Sequence, residues 1–176
     1  MKFWQRGLLR SLVVVSLAVC VSGCVKTQTK TGRTVPRTPQ VAKTSADKQL
    51  RRNPGLWYFS KGIKNKSNSG LEAFKFDRKG KVTVYNVKKY YATFTAAKKA
   101  GTLHKMGQGT YHIQKKAHQQ TNLVLKLKLA GIPATYRFKL KNGVAQRYKG
   151  LVVHGFKAVR TVDQDDVTGV FVQVRK

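Results

Sequence analysis

The chain has 176 residues, enough for one domain with a core of ordinary size. Thirty-six Lys and Arg stand against six acidic residues, a formal charge of +30, which bears on partners and association rates rather than on fold. Both cysteines, Cys20 and Cys24, fall within the first 24 residues, so everything after them is excluded from disulfide bonding, CxxC redox chemistry and thiol catalysis.

The first element has the order of an export signal. Lys2, Arg6 and Arg10 precede an apolar stretch over 11–21. Arg10 interrupts any backward extension, and the stretch is shorter than the roughly 20 residues a helix needs to span a bilayer. Val21-Ser22-Gly23-Cys24 resembles the lipobox of bacterial lipoproteins. The resemblance implies a signal peptide over 1–23, cleavage before Cys24 and attachment of diacylglyceryl to its thiol. Two acyl chains hold a protein close to permanently, where one holds it only reversibly. The expected location is the outer face of the cytoplasmic membrane of a Gram-positive-type cell, with membrane lipid as the first partner.

Residues 24–53 read as a lipidated cysteine followed by a disordered basic tether. From 25 to 53 there is no aromatic residue and no apolar period, and eight Lys or Arg face only Asp47. Such a segment buries too little to offset its ordering entropy, and as a coil it reaches about 30 Å.

From Pro54 the texture becomes that of strands. The leucines at 123, 125, 127 and 129 alternate with Val124, Lys126 and Lys128, and Ala134, Tyr136, Phe138 and Leu140 alternate with Thr135, Arg137, Lys139 and Lys141, a period of two with one dry and one wet face. Tight hairpins are expected at Asn142-Gly143, before a new strand at Val144, and at 77–80, between Phe74/Phe76 and Val82/Val84. Further strands are expected over 56–60, 90–95, 110–114, 152–159 and 169–174, and a short helix over 96–100. Successive hairpins with one apolar face must close or fold over to cover it. The expected fold of 54–176 is therefore all-β, an antiparallel up-and-down barrel of about eight strands, with a two-sheet sandwich as the alternative.

Gly55-Leu56-Trp57 at the first strand is similar to the Gly-x-Trp opening of lipocalins. The lysine-rich barrel region as a whole resembles the small basic lipocalin-like lipoproteins of lactobacilli and their relatives. The resemblance implies that Trp57 closes one barrel end beneath a late-strand cation, Arg160 or Arg175. Trp57, Phe74, Phe76, Tyr136 and Phe138 are the expected barrel end or lining, around a small apolar ligand or as a solid core. A lipocalin Thr-Asp-Tyr-like loop motif and a long helix after the strands are both absent.

Chemistry finds few handles. His104, His112, His118 and His154 form no metal-ligand spacing, and His112 is expected on the wet face. Asp163, Asp165 and Asp166 read as a solvated turn, lacking the spacing of a calcium loop. Glu72 and Asp77 make a poor glycosidase pair, and phosphate-binding or nucleophile-elbow motifs are absent. A non-catalytic protein without cofactor or metal is expected.

Charge is the more informative signal. Residues 54–176 hold 25 Lys or Arg against five acids. Lys126, Lys128, Arg137, Lys139 and Lys141 are expected to form one basic outer face that holds an anionic wall polymer such as teichoic acid. A first alternative is extracellular nucleic-acid binding, with the tyrosines at 85, 90, 91, 111 and 148 as base-stacking candidates. A second is a structural surface lipoprotein without a specific ligand. Replacing Cys24 with Ser should block lipidation and leave an unmatured precursor or a released product; mass spectrometry finding the wild-type Cys24 uncleaved and unacylated in cells would overturn the anchor.

Overall fold

A computed structural model describes residues 46–52, 55–64, 69–115 and 120–176; the expected signal, Cys24 and His118 lie outside these. All of the described residues belong to one compact unit, Pro36–Lys176. Eight strands follow one another around a closed antiparallel barrel: β1 Trp57–Ser60, β2 Leu71–Phe76, β3 Lys81–Val87, β4 His104–Lys115, β5 Thr121–Leu129, β6 Ile132–Tyr148, β7 Leu151–Val162 and β8 Asp165–Arg175. Each strand pairs with its neighbours in sequence, and β1 closes the ring against β8 with Trp57 opposite Gln173 and Ser60 opposite Val170. This is the expected all-β up-and-down barrel, and closure rules out the sandwich.

Period-two alternation sorts the side chains. Leu123, Leu125 and Leu127 of β5 and Tyr136, Phe138 and Leu140 of β6 point inward, joining Trp57, Phe59, Phe74, Phe76 and Phe171 in one interior cluster. On β4 the inward positions include Gly107 and Gly109, where a Cβ would lie about 2 Å from the carbonyl oxygens of Lys128 and Lys126. Glycine there lets the backbones approach closely, as a tightly curved wall requires.

A second apolar cluster covers the outside of the barrel. Tyr58, Leu71, Ala73, Val172 and Val174 point outward and are covered by residues from 88–103, including Tyr90, Tyr91 and Ala97. Four residues of β1 are therefore buried in succession, which explains why Trp57-Tyr58-Phe59-Ser60 shows no polar alternation. The covering strap carries α2, Phe94–Lys99, capped by the Thr93 hydroxyl accepting from the Ala96 amide at 3.0 Å. It is fixed by one hydroxyl: Tyr58 Oη donates to the Tyr91 carbonyl at 3.0 Å and accepts from the Tyr91 amide at 2.9 Å.

Three expectations are corrected. Residues 90–95 are not a strand; they run irregularly into α2, because Tyr90 and Tyr91 are both needed against the barrel wall. Asn142-Gly143 is not a hairpin. β6 passes through it with a register shift between Lys141 and Gly143, a bulge that absorbs one extra residue. The reversal comes at Lys149-Gly150, whose φ values of 47° and 76° form the tight turn instead. Finally, the end of the expected tether, Ala46–Arg52, is helix α1. Ala46 and Leu50, one turn apart, enter the interior cluster, and Arg51 Nε meets Asp47 at 2.6 Å across the same turn.

The hairpin expected at 77–80 is present. Asp77 Oδ1 accepts from the amides of Lys79 and Lys81, both at 2.8 Å. Since Leu50 is 1% exposed, Leu50→Ala should destabilise the domain by about 2–5 kcal/mol. A change under about 0.5 kcal/mol in urea unfolding would show that α1 does not contribute to the barrel core.

Candidate functional site

The five expected lining residues all lie in the barrel interior, packed on one another and on neighbouring rings. Trp57 is fully buried and stacks on Phe171 and Phe156 at centroid distances of 5.5 and 6.1 Å. Phe138 meets Phe171 at 5.0 Å, Phe74 at 5.8 Å and Tyr136 at 6.4 Å. Phe76 meets Tyr111 at 4.9 Å. These spacings are those of rings in mutual contact, so the five side chains form a core and leave no ligand space among themselves.

Arg160 does not sit over Trp57. Its guanidinium lies 4.6 Å from the Phe59 ring centroid and 5.2 Å from that of Tyr136, and Nη1 donates to Glu72 Oε2. This partly buried pair lies at the barrel end where β1 finishes and β2 begins. Burial pushes the Glu72 carboxyl upward, against the pull of Arg160. Arg175 ends β8 on the opposite side, beyond Gln173.

Around Trp57 the interior becomes polar. His154 lies edge-on to the indole at 6.3 Å. Among the described residues, Trp57 Nε1, His154 Nε2 and Gln173 Oε1 are buried without a hydrogen-bond partner. Burial lowers the His154 pKa, and the charge of Arg175 lowers it further.

The outer face of β5 and β6 carries the five expected polymer-binding cations, and all five are exposed. The register staggers them: Lys126 faces Thr135, Arg137 faces Val124, and Lys139 faces Asn122. No two of the five are directly opposed, which limits their mutual repulsion. Lys141 does face a cation, the exposed Lys157 of β7. Sequence reading missed Lys157, because only the register across the bulge brings it beside Lys141. Strands β3 to β7 contain no Asp or Glu, and among the described residues none of these six cations is in an ion pair.

The remaining candidates are dispersed. His112 is exposed opposite Val124, on the outer face as expected. Asp163 and Gln164 form the β7–β8 turn, and Asp166 bonds the Thr161 hydroxyl at 2.5 Å. Of the five stacking candidates, Tyr90, Tyr91 and Tyr111 are buried, and Tyr85 packs against Phe94. Tyr148 is half-buried and meets the Tyr90 ring at 6.1 Å. Comparison of the chain with protein-family models, curated proteins and solved structures finds no match.

The His154 environment sets a pH dependence. A lowered folded-state pKa means that the neutral ring is favoured by folding, so its stabilisation is full above about pH 6.5 and is lost as pH falls through the folded value. Glu72, shifted upward, contributes with the opposite slope. Relative to wild type, His154→Gln should therefore flatten the loss of stability between pH 7.5 and 5. Parallel urea midpoints for the two proteins across that range would contradict this.

Proposed function

We propose that the protein is a lipid-anchored extracellular binding module, without catalytic function, that holds anionic cell-envelope polymer such as teichoic acid against the membrane. The anchor part of this reading rests on the lipobox-like Val21-Ser22-Gly23-Cys24. It places the domain at the outer face of the cytoplasmic membrane. The lipocalin-like resemblance makes the barrel a scaffold here rather than a carrier, since its interior is filled with rings.

The observation that carries the polymer reading is the face bearing Lys126, Lys128, Arg137, Lys139, Lys141 and Lys157. Six exposed cations project from one rigid sheet whose strands carry no carboxylate. Cations two residues apart on β6 are spaced about 7 Å, and diagonal neighbours across β5 and β6 about 7–8 Å. A repeating polyphosphate laid on this face meets fixed charges without ordering a loop, and it releases condensed counterions as it binds, so affinity falls steeply with salt. Nucleic acid shares the phosphate chemistry, but Tyr111 is turned into the barrel and Tyr90, Tyr91 and Tyr148 gather beside the strap rather than among these six cations.

The test uses residues 36–176, which contain every described strand, both apolar clusters and the closing β1–β8 ladder and so hold what the fold needs. Changing Lys126, Lys128, Arg137, Lys139 and Lys141 together to Gln should weaken teichoic-acid binding at 50 mM salt roughly tenfold more than changing the exposed Arg78, Lys79, Lys81, Lys98 and Lys99, and should flatten the salt slope. Equal losses would assign the attraction to net charge alone. Preference for single-stranded DNA over teichoic acid at matched salt would move the reading to nucleic acid. Absence of polymer binding by the wild type at 50 mM salt would end the electrostatic reading altogether.

A further inference from the structure

A cleft of about 870 Å³ opens beside the strap, and none of the six cations of the basic sheet face lines it. It is built by four parts of the chain: the start of β2, the strap after β3, the β6–β7 turn with the strand ends beside it, and the end of β8. Its apolar surface comes from Leu71, Tyr90, Tyr91, Tyr148 and Leu151, and its cations are Lys88, Lys89, Lys149, Arg175 and Lys176. The cations are all exposed, and no Asp or Glu lines the cleft.

Two of the three tyrosine hydroxyls have partners within the fold. Tyr90 Oη is 3.1 Å from Ser60 Oγ, and Tyr91 Oη accepts from the Thr102 hydroxyl at 2.8 Å. What these residues offer the cleft is ring surface. They are also held in place: Tyr90 packs edge-on against Tyr58 at 5.0 Å and against Tyr148 at 6.1 Å, and the Tyr58 hydroxyl clamps the Tyr91 backbone. The cleft is therefore preformed, apolar within and cationic at its rim, in the size range of small-molecule sites.

We infer that this cleft binds a single-chain anionic amphiphile, a molecule with one flexible apolar chain and one carboxylate or phosphate head. The rim gathers the ammonium groups of Lys88, Lys89, Lys149 and Lys176, and a concave surface lined by one sign of charge concentrates the opposite sign. A hydrophilic polyanion would use the rim and leave the apolar surface wet. A bilayer would need protruding apolar side chains, whereas Leu71, Tyr90 and Tyr91 are recessed, at 7–9% exposed. The chain's own segment 25–45 carries Lys and Arg and no acid, so it is repelled. A thin chain that enters the cleft and leaves its charged head among the lysines satisfies both surfaces at once. This site shares β6 and β7 with the polymer-binding face but is built from the ends of those strands that meet at the Lys149-Gly150 turn, and none of the six cations of that face lines it.

Calorimetric titration of residues 36–176 would use dodecanoate, dodecyl phosphate, dodecanol, dodecyltrimethylammonium and inorganic phosphate, each below its self-association concentration. Both amphiphilic anions should bind at least tenfold more tightly than the neutral or cationic chain, and inorganic phosphate should give no comparable heat. The pair Lys89→Gln and Lys149→Gln should weaken dodecanoate about tenfold while leaving dodecanol within about twofold. Ala96→Trp, at an exposed position that lines the cleft, should block dodecanoate without entering either core. Dodecanol binding as tightly as dodecanoate, or inorganic phosphate as tightly as dodecyl phosphate, would overturn the inference. So would wild-type dodecanoate affinity in both variants. Loss of dodecanoate binding only in the five-residue β5–β6 variant would place the anion on the sheet face, refuting the cleft site while leaving the polymer reading standing.

Discussion

β1 has four residues, and both of its edges are used: one ladder runs to β2 and the other to β8. Both of its faces are used as well, with Trp57 and Phe59 turned into the barrel and Tyr58 turned out against the strap. Closure of the sheet is what makes this arrangement possible. A barrel of this small diameter brings side chains from all sides into contact at its centre, and here the centre is aromatic. The outer strap depends on the same four residues, because the Tyr58 hydroxyl satisfies both backbone groups of Tyr91. The packed interior, the covered outer wall and the cleft beside that wall thus share one short strand.

The division of labour between the two faces of the sheet follows from that closure. Rings fill the inside, and the outside is not uniform. Around β1 and β8 it is apolar and covered, with cations at the rim of a cleft. Around β5 and β6 it is bare, rigid and positively charged. The strongly basic composition is therefore organised by the fold into two surfaces of different chemistry, one suited to repeating charge and one to a charge with an apolar body attached. Among the described residues the carboxylate with a cationic partner inside the barrel is Glu72, held by Arg160. That pair ties β2 to β7 across the interior, and burial gives it little net stabilising power beyond the specificity of that crossing.

Much of the architecture was legible in the chain. The alternation through 123–140 gave β5 and the first half of β6 with the inward and outward residues correctly assigned, and the apolar run near 170–174 gave β8 as a strand. The failures have local causes. Asn142-Gly143 suits a tight turn, but whether such a pair turns or bulges depends on the partner strand, and that information lies at Lys157 and Phe156 of β7. α1 shows only Ala46 and Leu50 as an apolar stripe, too little to stand out from a basic background, although the Asp47/Arg51 spacing was a readable sign. The contact of Arg160 with Glu72 joins residues 88 apart, and no local pattern carries it. The cleft is equally nonlocal. Its tyrosines were visible, but their hydroxyl partners and the lysines that surround them meet only when the barrel closes.

Beyond Leu140, β6 outruns β5, their last pair being Thr121 with Leu140. Among the described residues, its far half is paired by β7 alone. An exposed row of amides and carbonyls is a template on which another strand can assemble. Here that row begins at a bulge, which spoils the regular spacing an incoming strand would need, and it carries Lys141 and Arg147 along its length. A second copy approaching this edge therefore meets mismatched spacing and like charge, both of which disfavour the addition of a strand.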